Sequence, residues 1–163
     1  MSKKYCIFAG GCFWCIARPF YDLKGVLKVL SGYSGGSIVN PTYEEVKSQT
    51  TGHYEVIKIE YDSNIISFNE ILKVYLENID PFDEGGQFID RGSSYQLVVF
   101  YQDETMKDIV TKVISDTFDV PTAIKLLPEK EFYLAEEYHQ EYAIKNPEEI
   151  EKEFLISGRN NKK

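Results

Sequence analysis

YCIFAGGCFWCIARPF, residues 5–20, decides the architecture. Tyr5–Ala9 is a short apolar run that stops at Gly10 and Gly11, as a buried strand does when it ends in a tight turn. From Cys12 the spacing changes. Phe13, Ile16, Ala17, Phe20 and Leu23 recur at intervals of three and four, which predicts a helix over 12–23. A strand that passes through a glycine pair directly into a helix opens an α/β or α+β fold. Pro19 lies four residues beyond Cys15 and cannot donate to its carbonyl, so the helix should loosen there.

Strands and helices continue to alternate outward from this unit. Val26–Leu30 reads as a second strand, followed by an SGYSGG loop. Asn40-Pro41 reads as an N-cap with proline at the first helical position, opening a short helix through PTYEEVKSQ. Tyr54–Tyr61 alternates as a half-buried strand does, and Ser67–Asn78 reads as a capped amphipathic helix. Residues 80–94, DPFDEGGQFIDRGSS, form a polar loop of a length that usually carries function. A strand over Tyr95–Tyr101, a helix over Glu104–Asp119 and a strand over Ala123–Leu127 follow. Neither repeats nor a low-complexity linker divide the chain. A single domain over 1–163 is expected, with a core at about 5–147 and a C-terminal tail at 148–163.

Bulk properties remove several classes of function. A chain of 163 residues suits one domain that buries roughly two-thirds of its unfolded surface. Its net charge of −8, from 26 acidic and 18 basic residues, argues against a nucleic-acid partner, which requires clustered Lys and Arg. The basic RNNKK at 159–163 reads as a solvated end. Three cysteines without framework spacing do not make a disulfide scaffold. No apolar run approaches the ~18 residues of a membrane span, so no membrane association is expected. The apolar stretch before the glycines is also shorter than the ~7–15 residues of a signal-peptide core, and a cytoplasmic location is expected.

Cys12 stands where a helix starts after a glycine turn, with unsatisfied backbone N–H groups nearby. Such a position favours an anion and lowers a thiol pKa, and the glycines allow a substrate to approach closely. The alternative is a buried cysteine that acts as a small hydrophobe. Cys15 follows three residues later, and a CxxC can form a disulfide, bind zinc or do neither. Zinc asks for four ligands, and the other candidates, Cys6, His53 and His139, are distant in sequence. Redox chemistry is therefore expected, with no metal and no bound cofactor. An ideal helix holds side chains at this spacing too far apart for an unstrained disulfide, and the loosening at Pro19 is expected to help Cys15 reach Cys12.

GGCFWC, PFYDLKGVLKVLSGYSGG, NPTYEEV, TTGHYEV, GSSYQLVVFY and EEYHQEYAIKNP occur in that order over about Phe8–Pro147. Together they resemble the A class of peptide methionine sulfoxide reductases. The resemblance implies a two-layer α/β (α+β) sandwich with a split βαβ, ferredoxin-like core and long wrapping loops. It implies reduction of the S epimer of methionine sulfoxide, free or in oxidised proteins, with thioredoxin restoring the enzyme. It also assigns roles. Cys12 is the nucleophile, Phe13 and Trp14 hold the substrate methyl group, and Tyr43 and Tyr95 hydrogen-bond the sulfoxide oxygen. Glu55 donates the proton, and Asp90 and His139 belong to the supporting polar groups; His53, read on its own, is placed with them as a structural donor. The chemistry agrees, because a sulfoxide oxygen leaves poorly unless it is protonated, and burial can raise a carboxyl pKa by several units.

Attack by Cys12 should leave a sulfenic acid, which condenses readily with a neighbouring thiol. Many members of the family supply that thiol from a C-terminal tail, but EEIEKEFLISGRNNKK, residues 148–163, contains no cysteine, and Lys47 follows PTYEEV. Cys15 is the nearest candidate for the resolving thiol; the alternative is an external thiol such as glutathione or glutaredoxin. Tyr54 stands where the family more usually has a small residue, and in an extended segment it should face away from Glu55. Two rival functions use the same residues. One is a thioredoxin-like disulfide oxidoreductase, although its proline between the cysteines is missing. The other is a non-catalytic peptide-binding module with an aromatic pocket.

Overall fold

The computed structural model describes residues 2–157, so the RNNKK expectation lies outside the described residues. Six strands form one sheet: β1 (Lys3–Gly10), β2 (Val26–Ser34), β3 (Tyr54–Asp62), β6 (Leu97–Tyr101), β7 (Lys125–Pro128) and β8 (Tyr133–Leu134). Two short strands, β4 (Gly86–Gln87) and β5 (Asp90–Arg91), pair separately as a hairpin. The helices are α1 (Phe13–Ala17), α2 (Tyr43–Lys47), α3 (Phe68–Glu77), α4 (Glu104–Thr117), α5 (Tyr142–Lys145) and α6 (Pro147–Ser157).

The sheet runs β7-β6-β1-β3-β2-β8. β3 lies antiparallel between β1 and β2, so the β1–α1–β2 unit is split by an inserted strand. β6 joins antiparallel on the other side of β1, and α4 carries the chain across to the parallel edge strand β7. Parallel neighbours need such a crossover, which a tight turn cannot provide.

Alternation along the strands divides the core between the two faces of the sheet. Cys6 and Phe8 point with Ile57, Ile59, Leu97 and Val99 towards residues of α1, α3 and α4. Ile7 and Ala9 point the other way with Val56, Val98 and Phe100. On that second face the chain between β7 and β8 crosses the sheet. Glu129 accepts a hydrogen bond from the Tyr5 hydroxyl (2.6 Å), the Ser34 hydroxyl donates to the carbonyl of Glu131 (2.9 Å), and Phe132 packs against the apolar residues. Gly32 on β2 makes this crossing possible, because a Cβ there would meet the Phe132 ring and lie 2.5 Å from the Tyr133 carbonyl oxygen.

Several expected boundaries move. The helix predicted over 12–23 is α-helical only to Ala17 and tightens to a 3₁₀ turn over Arg18–Phe20, where the Arg18 N–H takes the Cys15 carbonyl. The α-helix does end at the proline, but the chain there tightens where a loosening was expected. The SGYSGG loop is largely strand: Ser31–Ser34 pair with Ile57–Tyr54, and pairing overrides the low strand propensity of Gly and Ser. Asn40 does not cap a helix. It adopts φ +48°, and Thr42 caps α2 in a capping box with Glu45. Ser67 caps α3 in the same way, as expected. The 80–94 loop contains the β4–β5 hairpin, and Tyr95 ends a 3₁₀ turn ahead of β6. Of the expected tail, the described residues up to 157 belong to α6, which begins at Pro147. No helix among the described residues is long and apolar enough to cross a membrane.

The crossing at Gly32 yields a direct test. Gly32→Ala forces the rigid Phe132 ring and the Tyr133 backbone apart and should cost ~1–3 kcal/mol, read as a lower urea midpoint with an unchanged slope. An unchanged midpoint would mean that the crossing segment is not packed on β2.

Candidate active site

Sheet register assembles the site. Ala9 pairs with Val56, so the end of β1 lies beside Glu55 at the start of β3. Gly10 pairs with Leu97, which brings Tyr95 to the same end, and Tyr33 of β2 pairs directly with Glu55. Gly11 then turns the chain at φ +90°, a value only glycine adopts freely, and Cys12 becomes the N-cap of α1. The Cys12 carbonyl accepts from the N–H groups of Cys15 and Ile16, both at 3.1 Å.

Glu55 is 1% exposed, and its Oε1 accepts the Phe13 N–H at 3.1 Å. Burial pushes its carboxyl up to about 8, and the negative charge of Asp90 adds to the effect. Hydrogen bonds from the Phe13 N–H and the Tyr95 hydroxyl pull in the opposite direction and are outweighed. Tyr54 packs on the opposite face of the sheet, as alternation requires.

Cys12 is 7% exposed and Cys15 2%, and both are free thiols. The helix start does not make Cys12 acidic. Its thiol is raised well above the ordinary range by the neighbouring Cys15 sulfur, by burial, and by the charges of Glu55 and Asp90. The expected lowering fails because the Cys15 hydrogen bond and burial outweigh what a five-residue helix can offer, with the nearby carboxylates adding to them.

The aromatic residues gather round this point. The Phe13 ring lies 5.0 Å from that of His139 and 6.5 Å from that of Tyr43, nearly parallel to the latter. Trp14 donates its indole N–H to His139 Nδ1 at 3.0 Å. Burial holds His139 below its usual range, so the ring stays neutral and accepts that bond. The hydroxyls of Tyr43 and Tyr95 are pushed up, chiefly by burial and then by the charge of Glu55, and remain protonated donors. The field of Asp90 reaches Glu55, Cys12 and Tyr95 alike. His53 stands apart from the cluster: its Nδ1 accepts the Gly36 N–H at 3.0 Å and its Nε2 lies 2.7 Å from the Ile38 carbonyl, pinning that loop.

Sequence reasoning passed over four further residues. Tyr33 packs beside Phe13 at 5.7 Å and donates to Glu136 at 2.8 Å, while the other Glu136 oxygen accepts the Tyr43 N–H at 3.0 Å. Tyr142 stacks on the Trp14 indole at 3.9 Å and 10°. Glu153, on α6, lies beside the two cysteines. Ile150 and Phe154, four residues apart after Pro147, were the signal for α6, and both are buried against Cys12 and Cys15.

A buried thiol pair beside a buried carboxyl and two tyrosine hydroxyls, on a mixed α/β sheet, is the equipment of a thiol oxidoreductase. A family model for peptide methionine sulfoxide reductase matches residues 4–163, and the chain belongs to that family. The peptide methionine sulfoxide reductase MsrA of Ligilactobacillus salivarius is 48% identical over 153 residues, covering 91% of this chain and 89% of the relative. The reduced form of Mxr1 from Saccharomyces cerevisiae superposes with a TM-score of 0.82 at 26% identity, over 90% of this chain and 87% of that one. Mxr1 in complex with Trx2 matches at a TM-score of 0.56 and 16% identity, over 87% and 86%. Membership sets aside the thioredoxin-like and peptide-binding readings.

A carboxyl that ionises more readily in the unfolded chain lowers folding stability as pH rises from its ordinary 4.5 towards 8. Glu55→Gln removes that group. Its stability relative to the native chain should therefore improve by ~2–4 kcal/mol between about pH 5 and about pH 9 in urea titrations. A difference independent of pH would mean that Glu55 titrates normally.

Proposed function

We propose that this chain reduces the S epimer of methionine sulfoxide, free or in oxidised proteins, through a sulfenic acid on Cys12. The observation that carries this reading is the Glu55 carboxyl, buried, raised to about 8 and bonded to the N–H of the residue after Cys12. At neutral pH it holds the proton that a departing sulfoxide oxygen needs, and a positioned acid contributes ~10²–10⁴-fold. Tyr43 and Tyr95 donate to the oxygen as charge develops on it. Phe13 and Trp14 accept the methyl group, and His139 and Tyr142 fix the plane of the indole. The charge of Asp90 adds to the burial that keeps Glu55 protonated, and His53 holds the loop that precedes α2.

In the first step the Cys12 sulfur takes the oxygen. The substrate S–O bond breaks, an S–O bond forms on Cys12, methionine leaves, and the thiol proton replaces the one that Glu55 supplied. In the second step Cys15 attacks Cys12, a disulfide forms and water departs. The two sulfurs lie within 4.8 Å of one another, and α1 gives way to the 3₁₀ turn just beyond Cys15. An external dithiol then supplies two electrons. Thioredoxin is the proposed donor, in keeping with Mxr1 in complex with Trx2; glutaredoxin or glutathione is the substitute if Cys15 does not resolve. A cytoplasmic location, where thiols stay reduced, suits the cycle. All of this lies within one domain, to which α6 also belongs.

The test uses fully reduced protein with excess methionine sulfoxide and no reductant. About one methionine should form per chain with two thiols lost, and mass spectrometry should find Cys12 joined to Cys15. Cys15→Ser should still make one methionine and leave a trappable sulfenic acid, whereas Cys12→Ser should make none. Absence of methionine from the native protein overturns the reading. A native protein that loses only one thiol removes Cys15 from the cycle.

A further inference from the structure

α6 does more than cover the site. Arg18 joins Glu151 at 2.5 Å and lies 4.6 Å over the Phe154 ring, which fixes α6 against the turn after α1. In that position Glu153 faces the CxxC. One carboxylate oxygen and the sulfurs of Cys12 and Cys15 all lie within 4.8 Å of one another. Around a tetrahedral zinc ion, sulfurs at ~2.3 Å and an oxygen at ~2.0–2.2 Å stand roughly 3.5–3.8 Å apart. The three ligand atoms therefore need only a small contraction to enclose an ion, leaving the fourth vertex for water. The two thiols are buried and Glu153 is half-buried, so the carboxylate is the outermost of the three donors.

We propose that Cys12, Cys15 and Glu153 form a site for a thiophilic divalent cation, zinc or cadmium. The spacing of the CxxC alone offers two ligands, and the third comes from a helix some 140 positions along the chain. Binding exchanges two thiol protons for one ion, with both protons released to solvent and no change in oxidation state. The ion takes both sulfurs at once, so it masks the thiols against oxidation and blocks sulfoxide reduction until a chelator removes it. It also ties α6 to α1. The site depends only on the geometry of the three ligands, and not on the proposed reductase mechanism.

The experiment titrates the full reduced chain with cadmium alone and follows the ultraviolet thiolate-to-cadmium charge-transfer band. Zinc affinity is then measured by competition with a chromophoric chelator. About one ion should bind per chain, with Glu153→Gln weakening zinc by roughly tenfold or more, and Cys15→Ser weakening it further. Glu153→His, which exchanges one ligand type for another, should restore affinity. Circular dichroism of each metal-free variant checks its fold. No charge-transfer band in the native protein overturns the proposal. So does Glu153→Gln with native affinity, which would reduce the site to simple dithiol chelation. Weak binding by both the Gln and His variants would assign Glu153 a packing role and also overturn it.

Discussion

The hydrogen bond from the Phe13 N–H to the buried Glu55 carboxyl is the interaction on which the rest of the site depends. It joins the start of α1 to the start of β3, 42 residues apart in sequence, and places the thiol and the acid side by side. Insertion of β3 between β1 and β2 makes the contact possible, because antiparallel register carries the end of β1 to the beginning of β3. Tyr95 arrives through the pairing of Gly10 with Leu97. Three strand ends thus converge where the glycine turn releases Cys12.

Electrostatics give that arrangement its chemistry. Cys12 and Glu55 oppose each other's ionisation, so the state with both groups charged is disfavoured. When Glu55 is neutral, one of the charges opposing a thiolate is gone. On the proposed reading, the neutral Glu55 carboxyl supplies a proton for the sulfoxide oxygen and the Cys12 sulfur supplies an electron pair for the transfer. The Cys15 hydrogen bond and burial, with the acidic surroundings added, explain why the start of α1 does not lower the Cys12 pKa. A five-residue helix offers little dipole, and local carboxylates act at shorter range.

Much of this was legible in the sequence, for identifiable reasons. The glycine turn, the CxxC and the Ser67 cap are local signals, and each lies where its spacing indicates. Tyr54 and Glu55 face opposite sides because strand alternation is a local rule. What local reading missed depends on partners far along the chain. Ser31–Ser34 looks like a loop until β3 pairs with it. Glu136, Tyr142 and Glu153 become part of the site only when the chain returns over the sheet to Phe13, Trp14 and the cysteines. Asn40-Pro41 misleads because the capping box begins two residues later, at Thr42.

The central claim is that Glu55 is a neutral acid at physiological pH because the fold removes it from water. Side-chain carboxyl carbon NMR on protein labelled at glutamate tests this directly, with Glu55→Gln assigning the resonance. A midpoint near 8 is predicted, far from the 4.5 of an ordinary glutamate. A midpoint near 4.5 would leave Glu55 ionised at neutral pH and contradict the account.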